Sequence, residues 1–139
     1  METPTISRRQ ARRDAMVILY QRDIAGAELS ELYGNLEKNR GYPPADFTRE
    51  DVEGVIGIMD ELDFAIDLVS EGWPAHRMAA LERNIIRLAV FEMKSRDDIP
   101  TEVSIDEAVE LAKRYCSREA GALVNGILGK IATEAMENE

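Results

Sequence analysis

The stretch SRRQARRDAMVILYQRDIAG, residues 7–26, decides how the rest of the chain is read. Ala11, Ala15, Ile18 and Leu19 recur at the three- and four-residue spacing of one helix face. Ser7 followed three positions on by Gln10 has the form of a capping box, and Gly26 supplies a stop. The segment is therefore a helix whose apolar stripe has to be covered by other helices. It also carries four arginines in its first two turns. At about 100° per residue Arg8 and Arg12 are neighbours, Arg9 and Arg13 are neighbours, and all four fall within an arc of about 140° beside the stripe.

Outward from this segment the same periodicity continues, and strand signals are almost lacking. A second helix carries Leu29, Leu32, Tyr33 and Leu36 and ends at the loop of Gly41, Pro43 and Pro44. Thr48 with Asp51 three residues on reads as the cap of a long third helix bearing Val52, Val55, Ile56, Met59, Leu62, Ile66 and Val69. Gly72-Trp73-Pro74 breaks the chain. A fourth helix with Met78, Leu81, Ile85, Leu88 and Ala89 closes before Asp98-Ile99-Pro100, and Ser104 with Glu107 reads as a capping box opening a fifth with Ile105, Ala108, Val109, Leu111 and Ala112. The last begins near Arg118 and carries Leu123, Val124, Ile127, Leu128 and Ile131. The expected fold is all-α, six to seven helices in one domain over 1–139, with helical halves of about 1–72 and 73–139 packed together. The acidic end from Glu134 to Glu139 is expected to fray.

At 139 residues, 45% hydrophobic and 32% charged, the chain belongs to the globular class and is long enough to need no covalent staples. Cys116 is the only cysteine and His76 the only histidine, and there is neither a Gly-rich phosphate loop nor a Cys/His ligand spacing. No catalytic residue, metal or cofactor is expected. His76, just after the Trp-Pro break, reads as a surface or helix-entry residue, Cys116 as a small boundary residue, and Asp97-Asp98 as solvated loop charges. Ser7 to Arg13 is basic where a signal peptide would turn apolar, and the longest apolar runs fall far short of a membrane span, so a cytoplasmic location is expected.

The net charge of −10 is unevenly spread. Residues 1–22 carry five arginines against two acids, net +3, which leaves −13 on the other 117 residues. A Debye length of about 8 Å screens a distant acidic face from an anion held at the arginines. Cations in a helix's first turn oppose its dipole by roughly 0.3–1 kcal/mol each. The cluster therefore favours an anionic ligand over a merely solvated face, and arginine suits both phosphate and base stacking.

Arg8-Arg9-Gln10-Ala11-Arg12, then Leu19-Tyr20-Gln21 and Asp23 to Gly26, resemble the first helix of the NusB family of bacterial transcription antitermination factors. The resemblance extends through residues 82–89 (ERNIIRLA), Asp98-Ile99-Pro100, residues 105–113 (IDEAVELAK) and residues 124–128 (VNGIL). It implies a two-lobed fold of three-helix bundles that binds the single-stranded boxA element of RNA together with NusE, a small-subunit ribosomal protein, before RNA polymerase, NusA and NusG assemble. By the same resemblance Arg8, Arg9 and Arg12 match the RNA-facing residues, Tyr115 and Glu119 fall on that surface, and Tyr20 and Glu82 match the NusE contact. Arg13 stands where the family often has an acidic or polar residue; it either extends the patch or pairs with Asp14 or Glu2. Ala122-Leu123 replaces a frequent Lys-Phe, which takes one cation and one ring from the implied RNA surface. Family members occur as monomers and as dimers, so a homodimer, or a self-associating module whose basic face is not primarily an RNA site, is the competing reading.

Overall fold

The computed structural model describes residues 5–137, and these form seven α-helices with no strand among them. They are α1 (Arg8–Ala25), α2 (Leu29–Arg40), α3 (Asp46–Gly57), α4 (Met59–Val69), α5 (Ala80–Ser95), α6 (Thr101–Tyr115) and α7 (Arg118–Glu137). The expected all-helical architecture is present. The cap of α1 forms as read: the Gln10 N–H donates to Ser7 Oγ at 3.1 Å. At its other end Gly26 adopts φ 64° and donates to Arg22 O, the left-handed stop that glycine reaches without steric cost. Only half of the capping box is made, because the Gln10 side chain donates to Asp14 instead.

The third helix is two helices. Ile58, at φ −127° and ψ 30°, takes the backbone out of helical geometry between α3 and α4 just after Gly54 and Gly57, the weakest helix formers in the segment. Two cap readings are also corrected. The helix α3 starts two residues before Thr48, whose buried hydroxyl donates across to Ala11 O at 3.0 Å. The helix α6 starts at Thr101, directly after Pro100, and the buried Ser104 hydroxyl donates to Glu92 Oε1 at 3.1 Å. Thr48, Asp51 and Ser104 are polar because they face charged or carbonyl partners inside the protein, a reason that a capping pattern imitates. The helix α7 runs to Glu137, and 138–139, at the end of the stretch expected to fray, lie outside the described residues.

The helix α5 is the centre of the packing, touching α1, α3, α4, α6 and α7. Its residues 84–90 are all buried, which accounts for the unbroken run Ile85-Ile86-Arg87-Leu88-Ala89-Val90. One contiguous core joins Ile18 and Leu19 of α1, Val52 and Val55 of α3, Leu62 and Ile66 of α4, Ile85 and Ile86 of α5, and Val124 and Leu128 of α7. His76 is exposed in a short 3-10 turn (Ala75–Arg77) after the Trp-Pro break. Cys116 is half-buried at the end of α6, where burial and then the charge of Glu82 push its thiol up, the reverse of what a nucleophile needs. No described helix is long and apolar enough to cross a membrane.

The approach of α3 to α5 depends on Gly54, whose missing side chain leaves the place that the Phe91 ring occupies. Helix propensity alone favours alanine there by about 1 kcal/mol, but a methyl group would overlap the ring. Gly54→Ala is therefore expected to lower stability by roughly 1–3 kcal/mol in urea denaturation, the cost of overpacking; a gain in stability contradicts this close approach.

Candidate nucleic-acid interface

The four arginines of α1 have three different environments. Arg12 turns inward, 6% exposed, and its guanidinium grips Glu92 of α5: Nε to Oε2 and Nη2 to Oε1 are both 2.9 Å. This corrects the expectation that all four share one exposed face, because the Arg12 guanidinium is buried with its Nε–Nη2 edge held by a carboxylate. Arg8 and Arg9 are exposed. Arg8 donates to Asp98 at 2.9 Å and lies 5.2 Å from the Phe47 ring centroid, while Arg9 makes a two-pronged contact with Glu107 of α6 at 3.0 and 3.2 Å. Asp98 is thus more than a solvated loop charge, and the hydrogen bond from Arg8 holds its carboxyl below the usual range. Arg13 is half-buried and lies over Tyr115, 5.5 Å from its centroid. Asp14 does not pair with it: that buried carboxylate accepts from Gln10, Arg40 and Tyr42, and Glu2 lies outside the described residues.

Arg9, Arg13 and Tyr115 come together around a cleft of about 190 Å³ between α1 and α6, whose walls also include Glu107, Glu110 and Arg114. Tyr115 is 37% exposed, and Arg114 lies 5.6 Å from its centroid. Glu119 is exposed in the first turn of α7 and does not line the cleft. Ala122 is exposed and Leu123 packs partly against the core.

Tyr20 and Glu82 lie away from this cleft, both half-buried, on α1 and α5. The same two helices carry an ionic cluster in which Asp23 accepts from Arg83, Asn84 and Arg87, and Arg87 also grips Asp63 of α4 at 2.7 and 2.8 Å. Burial alone pushes the Asp23 carboxyl up, but the bonds from Asn84 and Arg83 and the charge of Arg87 bring it below its ordinary value. Arg83 is committed to Asp23, so Glu82 does not pair with its neighbour. Beside this cluster Ile24, Phe64 and Leu68 are 59%, 66% and 63% exposed.

Beneath the arginine face the Arg12–Glu92 pair continues into α3. Asp51, fully buried, accepts from Arg96 at 2.8 Å through Oδ1, and its Oδ2 accepts no hydrogen bond. Burial first, and then the neighbouring Glu92, push the Asp51 carboxyl up to about 8 against the opposing bond from Arg96. A proton on Asp51 gives the unpartnered oxygen a hydrogen to donate toward Glu92. None of Glu92, Asp51, Phe47, Asp98 or Glu107 was legible as part of this surface. Their signal lies in pairings 35 to 98 residues apart in the chain, to which local spacing is blind.

Removing one partner of a buried pair leaves the other uncompensated, so Arg12→Ala is expected to cost about 3–5 kcal/mol in urea denaturation. A loss below 1 kcal/mol contradicts the buried pairing. The Asp51 carboxyl has a pKa of about 4 when unfolded and about 8 when folded. Between those values the unfolded chain gives up a proton that the folded chain keeps, so this group's contribution to stability falls as pH rises from 4 to 8. Asp51→Asn, whose amide keeps a donor toward Glu92, is expected to show a flatter Tm-against-pH profile than the parent protein across this window; superimposable slopes contradict the protonated Asp51.

Comparison with known proteins bears on this arrangement. The model of the NusB family matches residues 9–133. The transcription antitermination protein NusB of Rubrobacter xylanophilus is 45% identical over 123 residues, 88% of this chain and 88% of that protein. The solved structure of T. maritima NusB is 35% identical with a TM-score of 0.80, covering 96% of this chain and 94% of that one. A crystal structure of antitermination factors NusB and NusE in complex with dsRNA is 27% identical over 91% of this chain and 96% of that one, with a TM-score of 0.79. The sequence match runs from the first turn of α1 into α7 on a superposable fold, and the chain belongs to the NusB family.

Proposed function

We propose that this chain is a non-catalytic transcription antitermination factor that binds boxA-type single-stranded RNA together with the ribosomal protein NusE. In this reading it helps assemble a complex with RNA polymerase, NusA and NusG in the cytoplasm. The observation that carries the reading is the set of exposed Arg8 and Arg9 with half-buried Arg13, which lies over the exposed Tyr115, on a chain of net charge −10. Guanidiniums neutralise phosphates and an exposed ring accepts a base, the combination that suits single strands. Arg12 acts beneath them as a positioning residue. Arg8 is already paired with Asp98, but a pair exposed on both sides contributes about 0–1 kcal/mol, and a phosphate displaces it at little cost. Arg9 gives its Nε and Nη2 to Glu107 and keeps Nη1 on the exposed side for a phosphate.

The second surface fits a protein. Tyr20 and Ile24 are one turn apart on α1, Phe64 and Leu68 are one turn apart on α4, and the Asp23–Arg87–Asp63 bridge joins the two helices. Exposed apolar side chains beside a polar cluster are characteristic of a protein-binding surface. The solved complex of a NusB with a NusE and dsRNA supports both partners.

If Arg8, Arg9 and Arg13 neutralise three phosphates, the log-log salt slope for a single strand is about −2. Alanine at all three positions is expected to bring the slope close to zero and weaken binding more than tenfold, read by anisotropy titration with and without NusE, while circular dichroism shows the helices intact. Unchanged affinity overturns the RNA surface. A dimer in sedimentation that is indifferent to RNA supports the self-association reading instead.

A further inference from the structure

The cleft between α1 and α6 contains more than an RNA-binding surface needs. Two glutamates, Glu107 and Glu110, line it beside Arg9, Arg13, Arg114 and Tyr115. For backbone phosphates alone these acids are a liability, since they repel what the arginines attract. Glu107 is occupied, both of its oxygens accepting from Arg9. Glu110 makes no ion pair among the described residues and lies in the same wall, one turn before Arg114. An ionised carboxylate only accepts hydrogen bonds, so whatever enters beside Glu110 has to bring donors. The cleft, at about 190 Å³, is below the roughly 300 Å³ at which pockets for drug-sized ligands begin. It suits one ring system.

We infer that this cleft is a guanine pocket, in which the base lies against Tyr115 and presents its N1–H and 2-amino group to the Glu110 carboxylate. The inference rests on the reading of this face as an RNA surface. Among the four bases only guanine offers two adjacent donors on its pairing edge, the match for two carboxylate oxygens that a guanidinium also makes. Adenine and cytosine offer one amino group beside a ring-nitrogen acceptor, and uracil flanks its single N–H with two carbonyls; each turns a lone pair toward the acid. The ring of Tyr115 is open to solvent, and the guanidiniums of Arg13 and Arg114 lie 5.5 and 5.6 Å from its centroid. That position lets them follow a stacked base or hold its flanking phosphates. The arginines thus hold the strand, and Glu110 selects the base that enters.

The test uses the full chain, with and without NusE, and three oligouridylate dodecamers carrying one central guanosine, inosine or adenosine. Inosine keeps N1–H and lacks the 2-amino group. The parent protein is expected to bind the guanosine strand roughly 10- to 100-fold more tightly than the other two, the discrimination of a bidentate base contact. In Glu110→Gln, a change at an exposed position, the guanosine-to-inosine ratio is expected to fall to about one. Salt-dependent binding of all three strands with equal affinity overturns the guanine pocket and leaves the RNA surface standing. A preference that survives Glu110→Gln also overturns the assignment. Failure to bind any of these strands while a boxA strand is bound overturns the pocket alone, and failure on the boxA strand as well overturns the RNA surface with it.

Discussion

The buried pair between Arg12 and Glu92 is the constraint around which the rest of the molecule is arranged. Two ions taken out of water cost several kcal/mol each, offset only where geometry is good and the remaining lone pairs are satisfied. Here the carboxylate takes the Nε–Nη2 edge of the guanidinium and a hydroxyl from Ser104, and the Asp51 carboxyl, raised by burial and by Glu92, stands next to it. Thr48 bonds the carbonyl one residue before Arg12. Four helices therefore supply side chains to a single polar knot in an otherwise apolar core: α1, α3, α5 and α6. The knot sets the rotation of α1 about its own axis. With Arg12 anchored inward, Arg8, Arg9 and Arg13 lie within about 100° of it along the helix surface and reach the solvent side.

The same geometry explains how a basic segment sits in an acidic protein without destabilising it. The first turn of α1 contains no acid, so its cations face the positive end of the helix dipole. Asp98 and Glu107 supply the missing negative charge from distant parts of the chain. The charge anomaly alone is thus a weaker argument for a ligand than it is on the sequence, since the repulsion is relieved internally. What separates the arginines is burial. The Arg12 pair is dry and its cost of disruption is large; the Arg8 pair is wet and cheap to exchange, and Arg9 is itself open to solvent while Glu107 holds one of its edges. Only cations on the solvent side can meet an incoming phosphate.

The seven helices were nearly all legible because amphipathic periodicity records which face is covered, and α1, α2, α5, α6 and α7 each show it. The break at Ile58 was not, since Gly54 and Gly57 are tolerated inside a helical pattern and only packing against Phe91 explains the first of them. The cap readings at Thr48 and Ser104 failed for one physical reason: a small polar residue three places before an acid looks the same whether it caps a helix or bonds a buried acceptor, a carbonyl at Thr48 and a carboxylate at Ser104. The site was legible as a cluster and not as an arrangement. Spacing on α1 placed four arginines on one arc, but which of them points inward depends on Glu92, 80 residues away. Glu107 reads locally as half of a capping box with Ser104 and Glu110 as part of the helix that follows, and their placement opposite the arginines is a product of how α6 lies on α1.

The helix α1 also sets how the two proposed surfaces can communicate. Arg8 and Tyr20 are twelve residues apart on one uninterrupted helix, about 18 Å at 1.5 Å per residue. That exceeds the Debye length of about 8 Å, so charge on a partner seated at Tyr20 is largely screened from a strand at Arg8. Nor is there a hinge between them: Asp14 is tied to Arg40 and Tyr42, and Asp23 to Arg83, Asn84 and Arg87, so the helix is fastened along its length. A rigid rod without field coupling transmits nothing. A partner at the Tyr20 end therefore strengthens RNA binding only by touching the RNA itself, which makes the combined surface additive and leaves each half measurable alone.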